Sequence, residues 1–125
     1  MSVVDPDEHV VDPVVETILG AVAGFGDRYV ALAEACDGDP GAAAAFAELA
    51  DYVAELLTDP VRHRRVLASC SAAIDAVAEA SEDGREAVAW SFLEALSPDD
   101  RYALEPWLGP RGRSLLAEVD AGPPS

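Results

Sequence analysis

The sequence predicts an all-α fold of six or seven short-to-medium helices. One observation is a helix-start signal that occurs four times, in which an oxygen-bearing side chain precedes a proline: Asp12-Pro13, Asp39-Pro40, Asp59-Pro60 and Ser97-Pro98. The oxygen can accept a hydrogen bond from the first turn, and proline suits the first helical position because the N–H there has no intrahelical partner. The other two observations are apolar residues at helical spacing and the lack of any alternating run bounded by hairpin turns.

The first two helices are predicted from apolar spacing on either side of a glycine-rich break. The first helix carries on one side Val15, Ile18, Leu19 and Val22. The segment Gly24-Phe25-Gly26 should interrupt it, because glycine destabilises a helix interior. The second helix ends before the sequence CDGDPG and carries on one side Tyr29, Leu32 and Ala33.

Two longer helices are predicted back to back, after Asp39 and after Asp59. The apolar stripe of the third helix comprises Phe46, Leu49, Ala50, Val53, Leu56 and Leu57. The apolar stripe of the fourth helix comprises Val66, Leu67, Cys70, Ile74 and Val77. At roughly 18–20 residues each, these helices are long enough to pack as an antiparallel hairpin.

Three further helices are predicted in the C-terminal third. Ser81 is a candidate cap for the first of them, whose core face carries Val88, Phe92 and Leu96. Pro98 should begin a short helix that runs to about Trp107. Gly109-Pro110 should end that helix and begin the last one, which carries Leu115, Leu116 and Val119.

These helices are expected to form one domain, since a chain of 125 residues is near the commonest domain size. We expect a flexible leader over residues 1–11, a single helical domain over 12–120 and a disordered tail over 121–125. Successive helical hairpins would stack as a short HEAT-like solenoid. A compact orthogonal helical bundle is the alternative, because no repeat of fixed period is visible in the sequence.

The chain is strongly acidic, and this charge restricts its partners. Twenty-four acidic residues oppose eight basic residues, all arginine, which gives a formal net charge of −16. Such a chain repels nucleic-acid phosphates and anionic membranes, so neither is an expected partner, whereas a basic protein is favoured. Solubility or a salt-adapted proteome would explain the same charge without any partner. A cytoplasmic location is expected, because the sequence has no signal-like N-terminus and no long apolar run.

No catalytic or metal-binding pattern stands out, so we expect a non-enzymatic protein without a cofactor. The two histidines, His9 and His63, do not accompany a nucleophile motif. No group of histidines and cysteines has the spacing of a metal site. Cys36 and Cys70 lack CxxC spacing and are expected to be reduced, small core residues.

One candidate partner-binding set lies on the third helix. Glu48, Asp51 and Glu55 share a face opposite the apolar stripe. Distributed carboxylates on a rigid helix can accelerate association with a basic protein. The alternatives are a purely solvated face, or two carboxylates that hold a hard cation together with another helix.

The second candidate set lies on the short helix that begins at Pro98. Asp99, Asp100 and Glu105 are concentrated there, next to Trp107. Tryptophan is an aromatic anchor that protein interfaces favour, although Trp107 could equally cap the core.

A basic cluster, Arg62, His63, Arg64 and Arg65, stands near the start of the fourth helix. Cations in a first turn oppose the helix dipole, at a cost of about 0.3–1 kcal/mol each. We expect this cluster to pair with carboxylates of a neighbouring helix. The alternative is a docking site for an acidic patch or a phosphate group.

Two short phrases mark the C-terminal third. The first is a Phe-x-Glu near the end of a helix, at Phe92 and Glu94. The second is a Leu-Gly-Pro-x-x-Arg phrase that opens the last helix, at residues 108–113. Together they resemble a family of small all-helical bacterial proteins of the toxin-immunity kind. This resemblance implies a cytosolic, non-enzymatic protein that binds and blocks a cognate toxin.

The sequence therefore favours a protein-binding module, such as an immunity-type protein that blocks a basic toxin domain. The alternative is an oligomeric structural or regulatory helical protein without a toxin partner. Such a protein would show self-association and a stability that depends on its concentration.

Overall fold

A computed structural model of the chain describes residues 13–38 and 40–121. The described part is built from helices and contains no strand, which confirms the predicted all-α class. Its seven α-helices are α1 (Pro13–Ala21), α2 (Phe25–Cys36), α3 (Gly41–Leu56), α4 (Arg64–Ala80), α5 (Glu82–Glu86), α6 (Pro98–Leu104) and α7 (Pro110–Ala121). A π-helical segment (Ala87–Leu93) continues α5, and a 3-10 turn (Glu105–Trp107) continues α6.

Two of the predicted helix caps are confirmed. The Ser97 hydroxyl accepts a hydrogen bond of 3.2 Å from the backbone N–H of Asp100, so it caps α6. The Ser81 hydroxyl accepts one of 2.9 Å from the N–H of Gly84, so it caps α5. Each bond satisfies one of the N–H groups that a helix start leaves without an intrahelical partner. The predicted caps Asp12 and Asp39 lie outside the described residues.

The predicted start of the fourth helix at Asp59-Pro60 is wrong, because α4 begins only at Arg64. Residues 57–63 form turns instead. The Asp59 carboxylate does accept a hydrogen bond, 3.3 Å long, from the N–H of Arg62, but this bond closes a turn rather than the first turn of α4. The start of α4 has no side-chain cap, since His63 at the cap position makes no such bond.

The predicted break between the first two helices is confirmed at Gly24. This residue has φ of 86°, a left-handed conformation that favours glycine, and it separates α1 from α2. The Tyr52 hydroxyl donates a 2.7 Å hydrogen bond to the backbone carbonyl of Ala23. A side chain on Gly24 would collide with that hydroxyl, so conformation and close approach both require glycine here.

A single cluster of buried apolar side chains runs from Val15 in α1 to Val119 in α7. The most extensive helix contacts join α3 to the π-helical segment, α4 to α5, α1 to α4, and α7 to both the π-helical segment and α4. The consecutive helices α3 and α4, predicted to pair as a hairpin, are not among the extensively packed pairs. Each of them packs mainly against other helices. The solenoid and the orthogonal bundle both stay predictions.

The π-helical segment is the central element of this packing. Its wider turn is closed by a 3.1 Å hydrogen bond from the N–H of Glu94 to the carbonyl of Ala89, five residues earlier. Its buried residues come in adjacent pairs, Val88 with Ala89 and Phe92 with Leu93. The predicted core face through Val88, Phe92 and Leu96 is buried, together with Ala89 and Leu93.

The predicted leader, residues 1–11, lies outside the described residues. The predicted tail begins one residue too early, since Ala121 is the last residue of α7, and the rest of the tail is not described. No described helix is both long enough and apolar enough to cross a membrane.

Candidate functional site

The acidic face of α3 is largely occupied by an arginine from α2. The Arg28 guanidinium lies 2.8 Å from the Glu48 carboxylate and 2.9 Å from the Glu55 carboxylate, and it donates hydrogen bonds to both. The side chains of Arg28 and Glu48 are only 26% and 25% exposed, whereas that of Glu55 is 63% exposed. Two of the three predicted partner-binding carboxylates on α3 therefore have a structural role that joins α2 to α3.

Tyr52 completes this contact from the middle of the same face. The Arg28 guanidinium lies 5.2 Å from the centre of the Tyr52 ring, within cation–π range. Burial by itself would lower the pKa of Arg28, but the hydrogen bonds to Glu55 and Glu48 outweigh it and raise the pKa. Burial also raises the pKa of Tyr52. We call Arg28, Glu48, Tyr52 and Glu55 the α2–α3 clamp.

Asp51 is the remaining member of the predicted α3 set. It is exposed, and within residues 13–38 and 40–121 it makes no ion pair. The carboxylates of this face that a partner could still contact are therefore Asp51 and the exposed part of Glu55.

The predicted acidic set on the short helix is arranged differently. Asp99 and Glu105 are exposed and Asp100 is half-buried, and none of them pairs with a basic side chain in the described part of the chain. Tyr102 is 79% exposed between them. We call Asp99, Asp100, Tyr102 and Glu105 the α6 surface.

The arginine of α6 does not neutralise this surface. Arg101 donates a 3.1 Å hydrogen bond to the Leu96 carbonyl and a 3.0 Å hydrogen bond to the Asp120 carboxylate of α7. Its side chain is 17% exposed. Arg101 is therefore used to attach α6 to the end of α7, and within the described residues the carboxylates of the α6 surface make no ion pair.

Trp107, the predicted aromatic anchor, is half-buried and packs against the hydrophobic core. It also lines a surface groove beside α4. The exposed aromatic residue of the α6 surface is instead Tyr102, which sequence reasoning missed. Its position could have been inferred, because Tyr102 lies two residues, or about 200° around the helix, from the core residue Leu104.

The basic cluster at residues 62–65 does not make the ion pairs predicted for it. Arg62, Arg64 and Arg65 are exposed, and no carboxylate of a described residue lies within ion-pair distance of them. The reason is that the cluster stands in the turn and first residues of α4, beyond the end of α3, and α3 does not pack along α4. None of the grooves described for residues 13–38 and 40–121 is lined by this cluster, so nothing in that part of the structure supports the alternative of a phosphate or acidic docking site.

A polar contact between α4 and α7 was also missed from the sequence. The Asp75 carboxylate accepts a 2.8 Å hydrogen bond from the backbone N–H of Gly112, in the first turn of α7. A carboxylate from another helix thus provides the cap that α7 lacks locally. A side chain on Gly112 would bring its Cβ to 2.8 Å from the same carboxylate, so the Asp75 contact requires a glycine there.

The two cysteines have opposite environments. Cys70 is a buried core residue, as predicted, and burial raises the pKa of its thiol from 9.0 to about 12. The prediction for Cys36 is wrong: it is exposed at the C-terminal end of α2, where the helix meets solvent rather than another helix. In the described ranges no three histidine, cysteine or acidic side chains are grouped in a way that could hold a metal ion.

Comparisons with known proteins add no relative: no protein-family model, no curated protein and no solved structure matches this chain. The resemblance to toxin-immunity proteins therefore stays a prediction from the two C-terminal phrases.

Proposed function

We propose that this chain is a non-enzymatic protein-binding module that docks on a basic partner protein through the α6 surface. The observation that supports the proposal most strongly is the contrast in counterions. Arg28 pairs with two of the three α3 carboxylates, whereas Asp99, Asp100 and Glu105 lie beside an exposed tyrosine and make no ion pair with a described residue. The neighbouring Arg113 donates its hydrogen bonds to the backbone carbonyls of Glu105 and Pro106 and not to a carboxylate.

Electrostatics and packing would have separate roles at this surface. The net charge of −16 steers a basic protein toward the chain, and complementary charge raises the association rate more than the affinity. Tyr102 supplies apolar contact area and a hydroxyl group, which together make tyrosine a frequent interface anchor. The partner that fits is a protein with a cationic surface and a pocket or ridge that can accept an aromatic ring.

The finer proposal is that the partner is a toxin domain and that the chain is its immunity protein. A toxin that acts on an anionic substrate has a cationic cleft, and an acidic helical surface placed over that cleft would block it. The C-terminal resemblance to toxin-immunity proteins supports this choice among basic partners.

The test begins with a basic protein domain encoded beside the gene of this chain. Association should be measured by stopped-flow at several salt concentrations, and the rate should fall about tenfold or more as screening increases. In cells, co-expression of the chain should protect against the toxicity of that domain. A basic domain that does not bind at low salt, or that stays toxic in the presence of the chain, would contradict the proposal.

A charge-matched pair of variants tests whether the α6 surface itself is the site. The triple variant Asp99→Asn, Asp100→Asn, Glu105→Gln removes three negative charges from the surface. The control Glu16→Gln, Asp27→Asn, Glu86→Gln removes three from acidic residues on α1, α2 and α5. We expect about tenfold weaker binding for the first triple and little change for the second. Equal effects would mean that only net charge matters.

A further inference from the structure

A groove of about 560 Å³ lies between α4 and the segment that connects the 3-10 turn to α7. On the α4 side it is lined by three exposed alanines, one helical turn apart: Ala68, Ala72 and Ala76. Their small side chains leave the room that a larger residue would fill. Trp107 and Pro106 form the opposite wall.

Three oxygen-bearing side chains of α4 also line this groove, spaced four residues apart: Ser71, Asp75 and Glu79. Ser71 is only 2% exposed, and its hydroxyl is the one buried side-chain polar atom among the described residues that has no hydrogen-bond partner. Native structures rarely leave such a group unsatisfied without a functional or solvent partner. Asp75 uses one carboxylate oxygen for Gly112, and the other oxygen, which lies against Gly109, accepts no hydrogen bond in the described structure. Glu79 is exposed and makes no ion pair there.

We propose that this groove binds the guanidinium group of an arginine side chain contributed by the partner protein. A guanidinium group has five N–H donors and no acceptor, and the groove offers it the exposed Glu79 carboxylate and the half-buried Asp75 carboxylate, with the buried Ser71 hydroxyl among the lining residues. Its flat face can stack on the Trp107 indole, which is the best aromatic surface for a cation. No basic side chain lines the groove in the described part of the chain, and neither Asp75 nor Glu79 makes an ion pair there. Arg113 donates a hydrogen bond to the backbone carbonyl of Pro106 instead.

The groove also adjoins the α6 surface, because the 3-10 turn belongs to both. Glu105 begins this turn on the α6 surface, and Pro106 and Trp107 continue it along the groove. A partner that covers Tyr102 and Glu105 would therefore reach the groove with a side chain that extends past Pro106. This inference rests on the proposed function and names the chemical group that the partner would present.

Nuclear magnetic resonance of the full-length ¹⁵N-labelled protein can test the proposal with small blocked peptides. The probes are Gly-Arg-Gly, Gly-Lys-Gly and a Gly-citrulline-Gly peptide, in which citrulline has nearly the shape of arginine but no charge. We expect the arginine peptide to shift the amide signals of Ser71, Ala72, Ala76 and Gly109. It should bind about fivefold more tightly than the lysine peptide, since lysine lacks the planar donor fork, and the citrulline peptide should not bind measurably.

Variants locate the binding site within the groove. Glu79→Gln should weaken arginine-peptide binding several-fold, whereas the control Glu86→Gln, an equal charge change at an exposed residue of α5, should not. Ser71→Ala should also weaken peptide binding about threefold while leaving thermal stability unchanged or higher, because its hydroxyl has no hydrogen-bond partner among the described residues of the free protein. A purely structural serine would show the reverse pattern.

Equal affinities for the arginine and lysine peptides, or equal effects of Glu79→Gln and Glu86→Gln, would overturn the proposal. The two proposals fail in distinguishable ways. If the basic domain binds and its affinity depends on the α6 triple variant but not on Glu79→Gln or Ser71→Ala, the groove proposal is wrong and the proposed function stands. If the basic domain does not bind at all, the proposed function is wrong.

Discussion

The α2–α3 clamp and the α4–α7 contact are both polar connections between helices, but they use acidic residues in opposite ways. In the clamp, one arginine binds two carboxylates of α3 and covers Tyr52. In the α4–α7 contact, one carboxylate, Asp75, accepts a backbone N–H from the first turn of α7. The first connection offsets one of two negative charges with a cation. The second satisfies a helix terminus, and its carboxylate makes no ion pair with a described residue.

The difference teaches that an acidic helix face in a sequence is not equivalent to an acidic surface on the folded protein. Glu48 and Glu55 belong to such a face and are occupied by Arg28. Asp99 and Glu105 belong to a shorter and less regular acidic segment and stay available, because Arg101 is bound to Leu96 and Asp120. The position of each arginine decides which carboxylates remain for a partner.

The two cysteines also differ in their surroundings, since Cys70 is buried and Cys36 is exposed. This difference gives the largest expected change in the free energy of unfolding. Burial holds the Cys70 thiol pKa near 12, so the folded protein keeps a proton that the unfolded chain releases above its ordinary pKa of 9.0. The contribution of the neutral thiol to stability is therefore complete below pH 9 and is lost as the pH rises toward 12. We expect the free energy of unfolding to fall by roughly 1 kcal/mol per pH unit in this interval, as measured by urea denaturation.

The matched variants are Cys70→Ala and Cys36→Ala. The first should be less stable at neutral pH, because it removes a buried side chain, but its stability should decline less steeply between pH 9 and 12. The second should follow the wild-type slope, since Cys36 is exposed. Burial also raises the pKa of Tyr52, and the charge of Cys70 adds to that rise, so Cys70→Ala reduces the Tyr52 contribution in the same direction. Parallel slopes for wild type and Cys70→Ala would contradict this prediction.

The Asp75 contact gives the next largest effect. Asp75→Ala should lower the free energy of unfolding by about 2 kcal/mol, because the N–H of Gly112 loses its charged acceptor. Asp75→Asn should lose about half as much, since an amide oxygen can accept the same bond without the favourable charge at the start of α7. Thermal and urea unfolding of the two variants would measure both values.

Two helical glycines provide the control for this contact. Gly112→Ala places a methyl group against the Asp75 carboxylate and should cost about 1–3 kcal/mol. Gly20→Ala in α1, where the new methyl group would meet nothing within 4 Å beyond the adjacent residues and the backbone of its own helix, should instead stabilise the protein by about 0.5–1 kcal/mol. If both substitutions stabilised the protein, the close approach of α7 to Asp75 would be wrong.

Much of the fold could be predicted because its signals are local. Ser97 and Ser81 cap helices through atoms three residues away, and Gly24 interrupts a helix through its own backbone conformation. The failure at Asp59 has the same local origin. An aspartate before a proline can cap a turn as readily as a helix, and the sequence does not distinguish the two. The helices that pack against α3 and α4 come from distant segments of the chain. The lengths of α3 and α4 alone therefore could not show whether the two helices pack against each other.

The candidate site was less predictable, because the state of each charged residue depends on long-range partners. Arg28 lies 20 residues before Glu48 and 27 before Glu55, and nothing in the sequence assigns it to them. Local patterns likewise could not predict that Arg62, Arg64 and Arg65 make no ion pair with a described residue. Tyr102 is the exception, because its angle to Leu104 on a short helix predicts its exposure.

The clamp itself gives the smallest expected effect and the sharpest test of the comparison. Arg28→Ala should lower the free energy of unfolding by about 1 kcal/mol at low salt, and Arg28→Lys should restore part of this loss without the two-pronged contact. In double-mutant cycles, Glu48→Gln should couple to Arg28 more strongly than Glu55→Gln, because the Glu48 side chain is 25% exposed and the Glu55 side chain 63%.

The same Arg28→Ala variant frees two carboxylates on α3. If the partner uses only the α6 surface, this variant should raise the association rate slightly and leave the dissociation rate unchanged. A markedly slower dissociation would show that the α3 face also contacts the partner, and Asp51→Asn should then reverse part of that gain.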